Sequence, residues 1–206
     1  NIDYNFPKEV EDEANAISSE ISEEEILKRR DMRDILTITI DPETARDFDD
    51  AISFQKLENG NYEIGVHIAD VSHYIQRGSV IDDESYKRAT SIYLIDRCIP
   101  MLPERLSNGI CSLRPHEDKL TFSVIFEITE NGEVLRHDFK KTVINSDIRF
   151  TYEQAQEIIE KGFSKMWEIT NDEPPISDSI NAIVVLNDIA RKLRAQRFNN
   201  GAVSFH

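Results

Sequence analysis

"ILTITIDPETARDFDDAISF", residues 35–54, sets the reading of the whole chain. Its first six residues are rich in β-branched side chains and read as a strand. "AISFQKL" (51–57) opens a second strand. Between the two lie Asp41, Glu43, Asp47, Asp49 and Asp50, all within ten positions. A fold gains nothing by gathering like charges. A solvated acidic loop is the plain alternative, but Phe48, Ala51 and Ile52 are interleaved with the acids and strands flank them on both sides. If 47–50 is extended, Asp47 and Asp49 point one way and Asp50 the other. Asp41 meets them only if the loop folds back. Such crowding costs several kcal/mol unless a cation neutralises it. Mg²⁺ takes hard oxygen ligands and keeps some waters, leaving room for a phosphate. Two such ions about 3.5–4 Å apart clamp the attacking and leaving oxygens of a phosphoryl transfer. An EF-hand loop counted from Asp41 would need Gly at Arg46 and Glu at Ile52, so that pattern fails.

Outward from this stretch, "YEIGVHIAD" (62–70) reads as a third strand, joined to the second through the hairpin signal "ENGN". "DDESYKRATSIYL" (82–94) begins as a helix. "CIPMLPERLSNGICSL" (98–113) reads as a loop with a short helix or turn. "KLTFSVIFEIT" and "EVLRHDFKKTVINSDI" are expected to be two long strands around a second hairpin, "ENGE". Thr151 caps a helix over "YEQAQEIIEK" that Gly162 ends. "WEITNDEPPISDS" reads as a surface loop. A longer helix over about 179–198 presents Ile183, Leu186, Ile189, Ala190 and Leu193 on one face. "NNGAVSFH" turns into a further strand that opens at Ala202. Ahead of the first strand, residues 1–33 form an acidic helical lead-in, with Val10, Ala14, Ile17 and Ile21 at helical spacing. Ser22 and Glu25 make a capping box. The lead-in has too few apolar residues for its own core, so it packs on the main domain or links upstream.

The 206 residues suit one domain, or one with a small appendage, and 39% hydrophobic residues allow a real core. The net charge of −15 argues against a basic nucleic-acid surface. That objection weakens once many of the acids serve a metal site. No run reaches the roughly 18 apolar residues of a membrane helix, and the acidic N-terminus carries no signal peptide. Cys98 and Cys111 match no zinc spacing and read as reduced, buried thiols of a cytosolic protein. The five histidines are scattered, which argues against a zinc enzyme. His67 reads as a core histidine and Asp70 as the cap of the turn at "DVSH"; neither is placed in the metal site. The absence of an initiator Met, and a strand that starts just before His206, make the chain read as a piece of a longer one. The fold class expected is α+β, a mainly antiparallel sheet with packed helices.

"TIDPETARDFDDAI" closely resembles the signature of the ribonuclease II / ribonuclease R (RNB) family of exoribonucleases. "RRDMRDILTITI", "HIADVSHYI" (67–75), "ATSIYL" (89–94), "IPMLPERLSNGICSL" (99–113), "SDIRFTYEQ" (146–154) and "RFNNGAVSF" (197–205) resemble further family segments in the family order. The likeness covers nearly the whole chain and is nearest the ribonuclease R branch. It implies that residues 34–206 form the N-terminal part of an RNB catalytic domain, truncated at its C-terminal end. It implies processive, Mg²⁺-dependent 3′→5′ hydrolysis of single-stranded RNA to nucleoside 5′-monophosphates, in the cytoplasm. Asp41, Asp47, Asp49 and Asp50 match the family's metal and catalytic aspartates, with Asp49 where loss stops cleavage but not binding. Tyr93 matches the tyrosine that stacks near the 3′ end, and Tyr152 an aromatic position implicated in choosing RNA over DNA. A stacking platform grips a base whatever its identity, at ~1–3 kcal/mol per base. Near Tyr152, Arg149 is open to two readings, a phosphate contact or a surface arginine. The family's downstream glutamate and arginine, and its cold-shock and S1 modules, are not in this sequence, so the chain by itself is expected to be nearly inactive. A non-catalytic RNB-like module that binds RNA or protein is the alternative from another class.

Overall fold

The computed structural model describes residues 4–95, 97–161 and 174–203. Seven strands make one sheet: β1 (Arg30–Asp31), β2 (Thr37–Asp41), β3 (Asp50–Lys56), β4 (Tyr62–Ala69), β7 (Asp118–Ile128), β8 (Val134–Asn145) and β9 (Ile148–Thr151). Their spatial order is β1-β8-β7-β4-β3-β2-β9. The four inner pairings are antiparallel, whereas β1 on β8 and β9 on β2 run parallel. The fold is therefore α+β with a mainly antiparallel sheet. Two hairpins build its centre, and their glycines explain why the chain turns there. Gly60 (φ 86°) and Gly132 (φ 80°) take the left-handed conformation that a side chain resists.

Each face of the sheet packs against helices. On one face, Ala51, Ala69, Ile125 and Ile144 meet α1 (Lys8–Ala16) through Val10 and Ala14, α4 (Val80–Arg88) through Ile81, and a π-helical turn, Arg105–Ile110, through Leu106. Val10 and Ala14 bury the inner stripe of the lead-in in this core, where α1 packs on α4 and the π-helical turn. Ile17 lies just past α1, and Ile21 is outside it. The second lead-in helix, α2 (Glu23–Leu27), starts at Ser22, whose hydroxyl accepts the Glu25 amide at 3.2 Å. The capping box is half made, because the Glu25 carboxylate pairs with Arg29 at 2.7 Å instead of turning back to Ser22.

On the other face, Ile38, Phe150, Ile52, Phe54, Ile64 and Ile128 lie under α5 (Tyr152–Lys161) and α6 (Pro174–Asn199). Thr151 caps α5 reciprocally: its hydroxyl accepts from the Gln154 amide and its own amide donates to Gln154 Oε1. Helix α6 begins at Pro174, inside the stretch expected to be a loop, since proline is tolerated in the first turn of a helix. Its buried stripe runs through Ile180, Ile183 and Ile189, while Ala190 is exposed, contrary to the expected face. The single strand expected over 133–148 is broken. β8 ends at Asn145, and β9 leaves for the far edge beside β2. Residues 202–203 are not a strand, and the expected helix stop at Gly162, the loop over 167–173 and His206 lie outside the described residues. Among the described residues no helix is long and apolar enough to cross a membrane.

The stretch that begins as α4 ends at Ala89 in the left-handed conformation (φ 62°). The chain then forms a small flap from β5 (Ile92–Tyr93) and β6 (Cys98–Ile99). A short helix, α3 (Val71–Tyr74), follows β4.

Candidate active site

The acidic loop leaves the sheet at Asp41, the last residue of β2, and returns at Asp50, the first of β3. It folds back at once: the Ala45 amide donates to the Pro42 carbonyl at 3.0 Å, closing a turn. Three further contacts fix its course. Phe48 is buried in the main core, which stabilises the loop by about 1.5–3 kcal/mol. The Ser112 hydroxyl accepts the Phe48 amide at 3.1 Å and donates to the Arg46 carbonyl at 2.8 Å. Arg149 donates to the carbonyls of Pro42 (2.6 Å) and Glu43 (2.9 Å), with its guanidinium 5.1 Å from the Phe48 ring centre. That guanidinium ties the loop to β9, a role that neither of the two readings from sequence anticipated. The Asp49 carbonyl accepts the Ala69 amide at 3.0 Å, tying the other end to β4.

With Phe48 turned into the core, its neighbours Asp47 and Asp49 line an open cleft together with Asp41. The cleft has a volume of about 700 Å³ and is also walled by Tyr93, Leu94, Ile95 and Cys98 of the flap, by Arg46 and Arg97, and by Tyr4 of the lead-in. The Tyr93 hydroxyl donates to Asp47 Oδ2 at 2.9 Å, which pushes the phenol pKa up to about 12. Asp50 is not on the cleft wall. It opens β3 opposite Ile68, but its charge reaches Asp41 and Asp49. Tyr152 is off the wall too, exposed one residue beyond Thr151, the strand partner of Asp41. The structure therefore groups Asp41, Asp47, Asp49 and Tyr93, keeps Asp50 within Coulombic reach, and sets Tyr152 at the rim of the same sheet end.

Burial raises the pKa of Asp41. The Thr39 hydroxyl and Arg149 oppose the rise, while the charges of Asp50 and Asp47 add to it. Burial also raises Asp49, reinforced by Asp47 and Asp50. One Asp41 oxygen, Oδ2, is buried without a hydrogen-bond partner. An orphaned carboxylate oxygen beside repelling carboxylates suits a hard cation, so the donor chemistry fits Mg²⁺. Among the described residues, however, no three Asp, Glu, His or Cys side chains are already arranged to hold an ion.

His67 and Asp70 lie outside this cleft wall. His67 is fully buried with Nδ1 2.7 Å from Ser123 Oγ, and burial lowers its pKa to about 4, so it is a neutral core histidine. Asp70 makes no side-chain cap to an amide. It accepts the Ser72 hydroxyl and the Arg29 guanidinium, and its carbonyl accepts the His73 amide. Both cysteines are free thiols, Cys111 buried and Cys98 half-buried on the cleft wall. Ser112, which helps set the loop's shape, was not singled out from sequence, and Arg149 was read only as a phosphate contact or a surface arginine, not as a tie on the loop. Each acts through contacts to a segment far away in the chain, so no local pattern marks them.

Comparison with known proteins puts this site in context. The RNB domain family matches residues 29–206. Ribonuclease R of Thermotoga maritima is 50% identical over 192 residues, which are 93% of this chain and 26% of that protein. The chain thus spans about a quarter of that relative's length. Among solved structures, Mycoplasma genitalium RNase R in complex with ribose methylated single-stranded RNA superposes with a TM-score of 0.86 at 30% identity, covering 100% of this chain and 31% of that one. Yeast Ssd1, a pseudonuclease, shares the fold with a TM-score of 0.72 at 21% identity, covering 87% of this chain and 21% of that one.

Proposed function

Because the chain belongs to the RNB domain family, we propose that it is the N-terminal part of the catalytic domain of a 3′→5′ exoribonuclease, preceded by a lead-in over residues 1–33. The observation that carries the reading is the convergence on one cleft of Asp41, Asp47 and Asp49 with Tyr93. A loop with this many carboxylates, bound down by Ser112, Arg149 and Phe48, is built to hold their charges together despite repulsion. Asp41, Asp47, Asp49 and Asp50 would hold Mg²⁺, which when bound supplies charge neutralisation at the phosphate and an activated water.

The chain's own residues have separable tasks in this reading. Tyr93, 68% exposed at the flap, offers a ring face to a terminal base. Its hydroxyl, held by Asp47, fixes the ring's position. Asp49 is the catalytic carboxylate: it sits on the cleft wall beside Asp47, and the burial and like charges that raise its pKa in the metal-free chain are what a bound cation would offset. Tyr152, at the rim, would meet the sugar of an incoming nucleotide and favour RNA over DNA. The substrate is single-stranded RNA entering by its 3′ end, and the products are nucleoside 5′-monophosphates. The chain spans about a quarter of a curated relative's length; in this reading the activity belongs to a longer, cytoplasmic protein, and the chain by itself is nearly inactive.

The test is mononucleotide release from a labelled oligoribonucleotide by the full-length protein with Mg²⁺, wild type against Asp49→Asn. Cleavage by wild type alone, with RNA binding retained in the variant, is the expected result. Equal activity of the two rejects the assignment. A non-catalytic RNB-like module is the second reading. The fold by itself is compatible with it, since the pseudonuclease Ssd1 has the same fold. Binding of RNA with no release by either protein would establish it.

A further inference from the structure

We propose that Arg46 is a phosphate-binding residue of the cleft, gripping the backbone of single-stranded RNA; this rests on the polynucleotide reading above and adds a residue to it. Arg46 lies on the cleft wall between Ala45 and Asp47. Its backbone is held in place, because its carbonyl accepts the Ser112 hydroxyl at 2.8 Å and Phe48, two residues on, is buried. Its exposed guanidinium makes no hydrogen bond or ion pair among the described residues. Arg77, Arg114 and Arg191 are likewise without a side-chain hydrogen bond or ion pair among the described residues, so what sets Arg46 apart is its place on the cleft wall. Arg29 and Arg33 are paired with carboxylates, and Arg105 and Arg149 are bound to backbone carbonyls. Arg97, the other arginine on the wall, has an interaction of its own.

The cleft needs such a group. Asp41, Asp47, Asp49 and Glu104 line it, and their combined charge repels a polyanion. Relief at the reacting phosphate does nothing for the neighbouring phosphates of the strand. A guanidinium carries a permanent charge and a planar fork of donors that matches a phosphate. Arg46 presents that fork from a fixed backbone, beside the carboxylates and on the same wall as the Tyr93 ring. A base on Tyr93 and a phosphate on Arg46 would together orient a strand whose sequence is not read.

The experiment measures binding of a short oligoribonucleotide by fluorescence anisotropy in EDTA, with the full-length protein, across a series of KCl concentrations. Replacing Arg46 with glutamine should weaken binding at low salt. It should also lower the slope of log Kd against log salt by about 0.7, the contribution of one single-strand phosphate contact. The thermal unfolding midpoint should not move, and Arg46→Lys should restore the slope because it keeps the charge. An unchanged slope in Arg46→Gln, with wild-type binding intact, overturns the Arg46 assignment alone. Absence of salt-dependent binding by the wild type overturns the RNA reading and this assignment with it.

Discussion

Replacing Arg29 with methionine keeps most of the side chain's bulk and removes its charge. Arg29 is fully buried in its side chain, and it donates to Asp70 at 2.8 Å, to Glu25 at 2.7 Å and to the Thr121 carbonyl at 3.3 Å. It therefore joins the lead-in to the end of β4, where Ala69 holds the Asp49 carbonyl. Asp70 is left nearly as buried, with only the Ser72 hydroxyl and, at 3.5 Å, the half-exposed Lys141 for company. Breaking a buried pair costs about 3–5 kcal/mol, and the two surviving partners put this case at the lower end, about 3 kcal/mol. At roughly 2.1 cal/mol/K per residue, a chain this long loses about 7 °C in Tm.

The pH dependence separates a lost charge pair from lost packing. In the wild type, burial alone would raise Asp70, but Arg29, Ser72 and Lys141 outweigh it and hold the carboxyl below its usual range. A depressed acid contributes stability above its unfolded pKa and loses it as pH falls through the folded pKa. In the variant, burial prevails and the pKa rises, so Asp70 takes up a proton on acidification and the penalty shrinks. Unfolding in urea at pH 7 and at pH 4.5 should show a large deficit at the first and a smaller one at the second. Adding Asp70→Leu to Arg29→Met should recover most of the loss. A deficit below about 1 kcal/mol at pH 7, or one equal at both pH values, would refute the reasoning.

Ser112→Ala removes an acceptor from the buried Phe48 amide and a donor from the Arg46 carbonyl. At about 1 kcal/mol per bond it should cost roughly 2 kcal/mol and speed hydrogen exchange at Phe48; unchanged exchange counts against the clamp. Gly65→Ala sets a Cβ against Ser53 Oγ and 2.5 Å from His67 Nε2. Overpacking there should destabilise by about 1–3 kcal/mol in denaturant titration, and a neutral result would mean that the strands shift freely. Asp41 and Asp49 have raised pKa values, so the metal-free chain loses their contribution to stability as pH rises from the unfolded value through the folded one. Mg²⁺ needs both deprotonated, so its stabilisation in a thermal melt should grow as pH rises from 4 to 7.5 and fade in Asp41→Asn. An equal Mg²⁺ effect at both pH values would argue against those carboxylates as ligands.

Local chemistry made the two hairpins readable. Each has an Asn-Gly pair whose glycine takes positive φ, and the period-two pattern beyond it fixes which face is buried. The cap at Thr151 is local and equally plain. β9 was not readable, because nothing near Ser146 marks a break. It arises far off, where Asp147 Oδ2 accepts the Thr37 amide at 2.7 Å and the Asp147 amide donates to the Thr37 carbonyl. Parallel pairing leaves no turn signature in the sequence. The prolines at 174–175 looked like a stop because their side chemistry forbids a helix interior, although a first turn accepts them. For the site, the alternation of Asp47, Phe48 and Asp49 could be read from the strand period. The bond from Tyr93 to Asp47 could not, since it joins positions 46 apart and depends on how the flap closes. The family resemblance supplied Tyr93 as a site residue where residue pattern alone did not.

The placement of β9 at the outer edge also bears on how the site is assembled. The β3–β4 and β7–β8 hairpins join neighbouring residues and close early. The bond that docks β9 spans 110 positions, and β1 meets β8 over a similar separation, so both sheet edges are expected to pair after the hairpins. Arg149, which ties down Pro42 and Glu43, arrives on that same strand. During synthesis the carboxylates therefore leave the ribosome long before the residue that shapes their loop. The carboxylate loop thus has its full set of ties only once β9 has paired with β2.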